Sequence, residues 1–188
     1  MQRRSGCLFQ QEKKWIKKIK KGDQQAFKNL YDMYGEYALR TAYAITNSKD
    51  HATDIVQEAF IKVYRNIHTF DLNKPFKPWF YKILLNESRR YMKMQNKQPI
   101  TIEQEQLIDY VNESKSSGSY DGDGNVQEVL SQLDEMHRTI LTLKYMNQFT
   151  EKEIATLLDL NINTVKSRLY KARLKFKEAV GGGNNEAK

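Results

Sequence analysis

Apolar residues recur every three or four positions through most of the chain, which is the spacing that puts them on one face of an α-helix. No segment alternates apolar and polar residues for long enough to indicate a strand. The pattern therefore predicts an all-α fold.

Four helices are predicted in the first half of the chain. Gly22 and Asp23 are typical of a helix end followed by a new helix cap. The apolar face of the second helix includes Tyr31, which is expected to be buried. The predicted helices are Leu8–Lys21, a second that ends near Asn47, a third that is capped by Asp50 and carries its apolar face to Ile67, and Pro78–Lys97.

The helical pattern is interrupted after residue 97. Residues 114–119 and 121–124 are rich in Ser, Gly and Asp, a composition typical of flexible linkers. We therefore predict two small helical domains, residues 1–97 and 126–180, joined by a flexible acidic linker at 98–125 and followed by a disordered tail at 181–188. A linker of about 28 residues has a root-mean-square reach of roughly 30 Å.

The second domain carries a helix-turn-helix pattern. Thr150 and Glu153 have the spacing of a capping box, and a short turn at 159–161 precedes the last helix. With Val165 and Leu169 turned inward, the polar side of that helix faces outward, as in DNA-reading helices. The alternative is the solvated face of an ordinary helical hairpin.

The charge of the chain changes sign along its length. Net charge is +8 and the isoelectric point is about 9.4. Residues 1–97 carry 20 Lys/Arg against 9 Asp/Glu, residues 98–136 carry 1 against 9, and residues 137–188 carry 10 against 5. Two basic domains favour an anionic partner, either nucleic acid or a membrane surface.

Other observations narrow the function classes. The single Cys7 cannot form an internal disulfide, and no run of 18 apolar residues is present, so we expect a cytoplasmic protein without membrane insertion. The three histidines are scattered, and residues 121–125 begin like a calcium loop but lack its glycine and its final glutamate. We expect no metal, no cofactor and no catalytic site, hence no enzyme.

Aromatic and basic residues are interleaved at the start of the fourth helix. Phe76 and Trp79 lie among lysines and arginines, an arrangement that suits unstacked single-stranded bases. The alternative is that these rings belong to the core, which we favour for Phe80 and Tyr81. Asn86 is a polar residue within an apolar stretch, which favours a functional role.

Three segments resemble the sigma-70 family of bacterial RNA polymerase sigma factors. Residues 54–64 (DIVQEAFIKVY) resemble the region 2 helix that grips the polymerase, and residues 78–87 (PWFYKILLNE) resemble the segment that melts and reads the minus-ten element. Residues 153–173 resemble region 4, which reads the minus-thirty-five element. Only these two regions are represented, as in the small extracytoplasmic-function class. Residues 1–10 have no counterpart in the pattern.

The resemblance implies roles for particular residues. The loop 70–76 matches one that captures a flipped base, and Asn86 matches a base-contacting asparagine. The predicted minus-ten contacts are Phe70, Asp71, Asn73, Lys74, Phe76, Trp79, Asn86, Arg89 and Arg90. The predicted minus-thirty-five contacts are Asn163, Thr164, Lys166, Ser167, Arg168, Lys171 and Arg173. The predicted polymerase-docking residues are Asp54, Gln57, Glu58 and Phe60.

The resemblance also implies partners. These are core RNA polymerase (through the coiled coil of its largest subunit and, for region 4, the flap of the second-largest), promoter DNA, and an anti-sigma factor. Two other function classes stay open: a helix-turn-helix regulator that binds promoters without polymerase, and a nucleic-acid enzyme, which would need a catalytic constellation that the sequence does not display.

Overall fold

A computed structural model of the protein describes residues 2–95 and 124–182, and these residues form helices and turns without a strand. The first group of helices comprises α1 (Gln2–Ile19), α2 (Gln24–Thr46), α3 (Lys49–Asn66) and α4 (Phe76–Gln95). A short 3₁₀ helix (Ile67–Thr69) follows α3. The all-α prediction is confirmed.

Local sequence explains the two turns that separate α1, α2 and α3. Gly22 has a φ of +88°, a conformation that costs glycine little, and the Asp23 carboxylate then accepts a hydrogen bond from the Ala26 N–H at 2.9 Å. Asn47 ends α2 in the left-handed conformation. The prediction that Asp50 caps α3 was wrong: α3 begins at Lys49, Ser48 occupies the capping position, and Asp50 lies in the first turn.

The core of the first group lies where α2, α3 and α4 pack together. Fully buried side chains come from each helix, among them Leu30, Val63 and Phe80. Ile16 and Ile19 of α1 are also buried and complete this core. Tyr31, predicted to be buried, is 47% exposed because it lies on the edge of α2 that faces solvent.

The second group comprises α5 (Gly124–Ser131), α6 (Glu135–Leu141), α7 (Glu151–Leu158) and α8 (Ile162–Gly182). A π-helical turn (Thr142–Met146) extends α6. α5 begins two residues before the predicted domain boundary, and its Val126 is exposed. Most of the predicted linker and the end of the predicted tail lie outside the described residues.

The two groups pack against each other. α2 contacts α6 and the π-helical turn, and α4 contacts α7. Ile45 and Leu85 of the first group and Leu158 of the second are buried around this junction. In this arrangement the second group, called the second domain below, covers one side of α4, which belongs to the first group or first domain. No helix of residues 2–95 and 124–182 combines the length and apolar character that a membrane span requires.

Candidate DNA-binding and polymerase-binding surfaces

The helix-turn-helix is held by its own side chains. The Thr150 hydroxyl accepts from the Glu153 N–H, and the Glu153 carboxylate accepts from the Thr150 N–H at 2.8 Å, which completes the predicted capping box. Asp159 turns the chain in the left-handed conformation, and the Asn161 side chain accepts from the Asn163 N–H at 2.8 Å as α8 begins. The turn therefore fixes the direction in which α8 leaves.

α8 separates an apolar side from a polar side. Val165, Leu169 and Ala172 are buried as predicted. The predicted minus-thirty-five contacts lie on the other side: Asn163, Lys166, Ser167, Lys171 and Arg173 are exposed, and Thr164 and Arg168 are half-buried. The Ser167 hydroxyl donates to the Thr164 carbonyl at 3.0 Å, which leaves the lone pairs of its oxygen available to accept hydrogen bonds. A row of amide, hydroxyl and ammonium groups at the start of a helix can hydrogen-bond base edges in a major groove.

The far end of α8 is tied to its own domain. Arg173 donates to the Tyr145 hydroxyl at 2.6 Å and lies over its ring, and Lys175 pairs with Asp134 at 3.1 Å. Burial alone would raise the pKa of Asp134, but hydrogen bonds from the His137 backbone and from Lys175 outweigh it and lower that pKa to about 2. Arg173 and Lys175 therefore have intramolecular partners that sequence reasoning did not identify.

The predicted minus-ten residues fall into three classes. Phe70 and Phe76 are buried in this arrangement, at 5% and 1% exposure, and their contact with DNA stays a prediction. The two rings pack against each other and against the half-buried ring of Trp79. This apolar cluster lies under the five-residue loop 71–75. The exposed members are Asp71, Asn73, Lys74, Asn86 and Arg90, and Arg89 is half-buried.

The loop at residues 71–75 has internal hydrogen bonds of its own. The Asp71 carboxylate accepts from the Asn73 N–H at 2.9 Å, and the Asp71 carbonyl accepts from the Lys74 N–H at 3.0 Å. These bonds form a turn that projects Asn73 and Lys74 into solvent. An amide and an ammonium at the tip of an ordered loop can bind an unstacked base and its phosphate.

A groove between α2 and α3 contains half of the predicted docking set. Its volume is about 1070 Å³, Gln57 lies on its wall, and Phe60, although buried, forms part of its floor. Asp54 is exposed and Glu58 is half-buried, and both lie on α3 outside this groove.

Sequence reasoning missed the exposed rings of the groove. Tyr31 and Tyr64 are about half exposed on its walls, and the Phe27 ring contacts the Tyr64 ring with 5.2 Å between their centroids. The signal was present as aromatic residues four positions apart on both helices, but that spacing is equally typical of a core. Exposed aromatic rings around a helix-sized groove form a surface suited to a partner helix.

A second, smaller cavity lies in the second domain. It measures about 370 Å³ and is enclosed mainly by apolar side chains of α5, α6 and α8, including Leu130, Leu141 and Phe176. Val126, on its rim, is 44% exposed. Sequence reasoning gave no indication of this cavity, because it forms between helices that are distant in the chain.

Lys77 and Lys82, two of the cations beside the aromatic cluster, contact the second domain. Lys77 donates to the Asn147 carbonyl at 2.6 Å and lies over the Phe149 ring, and burial lowers its pKa. Lys82 pairs with Asp159 at 2.5 Å and donates to the Leu157 carbonyl at 3.1 Å. In this arrangement both ammonium groups are bonded to the second domain.

A metal ion would need several ligating side chains close together within the described part of the chain. Its His, Cys, Asp and Glu side chains do not assemble into a cluster of three that could hold a metal ion. The buried Tyr34 and Glu12 are hydrogen-bonded to each other within the core of the first domain, and neither lines the groove between α2 and α3.

Two protein families match the chain. Residues 30–98 match sigma-70 region 2, and residues 123–176 match sigma-70 region 4. The chain is 31% identical over 174 residues to the ECF RNA polymerase sigma factor SigW of Bacillus subtilis (strain 168), covering 86% of this chain and 92% of that relative. It is 28% identical over 171 residues to the ECF RNA polymerase sigma-E factor of Escherichia coli (strain K12), covering 84% and 88%.

Two solved structures share the fold. CnrH, in complex with the cytosolic domain of CnrY, superposes with a TM-score of 0.67 at 20% identity, over 92% of this chain and 98% of that one. The sigma factor RpoE from Bartonella quintana, in complex with the anti-sigma factor NepR, gives a TM-score of 0.65 at 22% identity, over 82% and 96%.

Proposed function

The chain belongs to the sigma-70 family of RNA polymerase sigma factors, and from this premise we propose that it is an extracytoplasmic-function sigma factor that binds core polymerase one-to-one and directs it to specific promoters. It acts by binding and placement rather than by catalysis. The proposal rests on a polar row of exposed side chains in the first half of α8, formed by Asn163, Lys166, Ser167 and Lys171. The helix-turn-helix, which begins with the capping box of α7, fixes the orientation of α8.

The start of α8 reads the minus-thirty-five element in this proposal. Lysine and asparagine side chains pair with base edges in the major groove, and each good contact is worth about 1–3 kcal/mol of discrimination. Arg168 is half-buried and suits the phosphate backbone, which fixes the position of the helix without reading sequence. Arg173 is exposed but already bonded to Tyr145, so we assign it a supporting role in orienting α8.

The loop 71–75 and Asn86 act on the minus-ten element. Asn73 and Lys74 project from an ordered turn, and Asn86 and Arg90 are exposed on α4. We assign these four side chains to the base and the backbone of the melted strand. Phe70, Phe76 and Trp79 instead form the support beneath the loop.

The groove between α2 and α3 and the cavity of the second domain provide surfaces for core polymerase in this proposal. The aromatic groove between α2 and α3 takes the coiled coil of the largest subunit, with Asp54 and Glu58 at its side for basic residues of that coiled coil. The apolar cavity of the second domain takes the flap of the second-largest subunit. Apolar contacts would supply affinity, and the exposed carboxylates would supply orientation.

Engagement of a promoter requires the two domains to separate. The minus-ten and minus-thirty-five elements are roughly three helical turns of DNA apart, on the order of 100 Å. While α4 contacts α7, the two domains lie too close together to bind both promoter elements at once. An anti-sigma factor would regulate the protein by favouring this packed arrangement, because Lys77 and Lys82 then stay bonded to the second domain.

Retention on core polymerase tests the proposal. Purified chain mixed with core enzyme should co-elute from a sizing column in a one-to-one complex, and duplex promoter DNA should bind the complex more tightly than the chain alone. Specific duplex binding by the chain without any association with core polymerase would favour the helix-turn-helix regulator instead.

A further inference from the structure

The loop at residues 71–75 begins beside the turn that follows α1. Lys20, in the turn that ends α1, donates from its ammonium to the Phe70 carbonyl at 2.7 Å and to the His68 carbonyl at 3.1 Å. These carbonyls lie at the end of the 3₁₀ helix, where carbonyls lack intrahelical partners and accept hydrogen bonds from other groups. Lys20 therefore fixes the point at which the loop begins.

Glu12 of α1 lies near the end of the loop. Its carboxylate accepts from the hydroxyl of Tyr34, whose ring packs against that of Phe76, the first residue of α4. Burial raises the pKa of Glu12, and Tyr34, Lys77 and the backbone of Phe76 oppose that rise, so the carboxylate lies close to the start of α4.

Glu12 lies within α1, and Lys20 lies in the turn that follows it. Glu12 and Lys20 are eight residues apart, which is about 12 Å along a helix, and the buried Ile16 and Ile19 lie between them. The polar pair is therefore held by the same packing that attaches α1 to the core. The matched region 2 begins at residue 30, so α1 lies outside it.

We propose that Lys20 is a positioning residue for minus-ten recognition: through Phe70 and His68 it holds the loop 71–75 in the conformation that receives a DNA base. The proposal rests on the loop's role under the proposed function. Holding the loop before DNA arrives removes the entropy cost of ordering it upon binding. The effect concerns base capture, so it is separate from the general attraction of a basic chain for DNA.

A matched pair of substitutions isolates this effect. Lys20→Met removes the donor but keeps the aliphatic stem, and Lys17→Met removes the same charge from an exposed position one turn earlier. Lys20→Arg keeps a cation that can donate to carbonyls. In the free, full-length chain, hydrogen exchange of the Asn73 and Lys74 amides should be at least about tenfold faster in Lys20→Met than in Lys17→Met, since losing a charged hydrogen bond typically changes an equilibrium by that factor or more.

The second measurement uses DNA. The probe is a single-stranded oligonucleotide with the non-template minus-ten sequence of a promoter that the wild-type holoenzyme transcribes, compared with the same strand made abasic at each position in turn. Wild-type and Lys17→Met holoenzymes should discriminate against one abasic strand, and Lys20→Met should lose about tenfold of that discrimination, which Lys20→Arg should largely restore.

The possible failures are distinguishable. If the wild-type holoenzyme does not discriminate among the abasic strands, the assigned role of the loop is wrong and the positioning role of Lys20 falls with it. If the wild type discriminates and Lys20→Met discriminates equally well, only the positioning role is overturned. Equal loop exchange in Lys20→Met and Lys17→Met would likewise overturn it, whatever the DNA result.

Discussion

The hydroxyl of Tyr81 in α4 donates a hydrogen bond to the side-chain oxygen of Asn147, in the turn before the helix-turn-helix, with 2.5 Å between the two oxygens. Both side chains are almost fully buried, and burial raises the pKa of Tyr81 to about 12, so the hydroxyl keeps its proton. The Asn147 amide also donates to the Thr41 hydroxyl at 2.9 Å. One asparagine of the second domain therefore bonds two buried hydroxyls of the first, and that of Thr41 also donates to the Tyr37 carbonyl at 2.7 Å.

We predict that Asn147→Ala loosens the packing of the two domains. The substitution leaves the Tyr81 and Thr41 hydroxyls buried without this partner, which typically costs about 1–3 kcal/mol. Small-angle X-ray scattering of the free chain should then give a larger radius of gyration. Asn163→Ala, which removes an exposed amide on α8, is the control. Identical radii for the two variants would contradict a role of Asn147 in holding the domains together.

Glu12→Gln should change how stability depends on pH. Burial raises the pKa of Glu12 in the folded protein above its ordinary value of 4.5, despite the hydrogen bond from Tyr34. The folded state therefore holds this proton more tightly than the unfolded state. The associated stability is fully present below pH 4.5 and is lost as pH rises through the raised pKa.

Urea unfolding at a series of pH values measures this difference. Over that interval the free energy of unfolding of the wild type should fall relative to Glu12→Gln, by at most about 1.4 kcal/mol per pH unit. Parallel pH profiles for the two proteins would show that Glu12 binds its proton equally in both states.

Charge reversal on α3 should weaken polymerase binding without unfolding the protein. In Asp54→Lys/Glu58→Lys, two carboxylates beside the aromatic groove become cations, which would repel a basic coiled coil. The thermal midpoint should change little, because partly or fully exposed charges contribute at most about 1 kcal/mol each. Glu128→Lys/Glu178→Lys, at exposed positions of the second domain, is the control for net charge. Equal retention of both double variants on core polymerase would exclude Asp54 and Glu58 from the docking surface.

The two ends of α8 should differ in their effect on DNA recognition. Lys171 is an exposed member of the polar row, whereas Lys175 is paired with Asp134. We expect Lys171→Ala to change the preferred base at one position of the minus-thirty-five element, and Lys175→Ala to leave all preferences unchanged. A library randomised in that element and transcribed by each mutant holoenzyme gives the comparison. Unchanged preferences for Lys166→Ala, Ser167→Ala and Lys171→Ala alike would exclude α8 as the reader.

Local features of the fold could be predicted from the sequence because they depend on neighbouring residues. The Thr150–Glu153 capping box and the cap at Asp23 involve side chains and amides three residues apart. The buried face of α8 follows from helical periodicity. Asp50 was misassigned because Ser48, two positions earlier, is also a residue type that caps helices.

Features formed by distant segments could not be predicted in this way. Residue type does not reveal that Phe76 is buried while Tyr31 is exposed, since both occupy apolar-periodic positions. The contacts of Lys20 with Phe70 and of Tyr81 with Asn147 join residues 50 and 66 positions apart. Such contacts depend on how the helices pack, which periodicity leaves undetermined.

Run-off transcription tests the central claim most directly. Core polymerase and the purified chain would be combined on fragmented genomic DNA from the source organism, and the 5′ ends of the transcripts would be sequenced. We predict a small set of start sites that share sequence motifs at minus ten and minus thirty-five, that are absent with core polymerase alone, and that are lost when Asp54→Lys/Glu58→Lys replaces the wild-type chain. Transcripts whose start sites are the same with and without the chain would contradict the assignment as a promoter-recognition subunit.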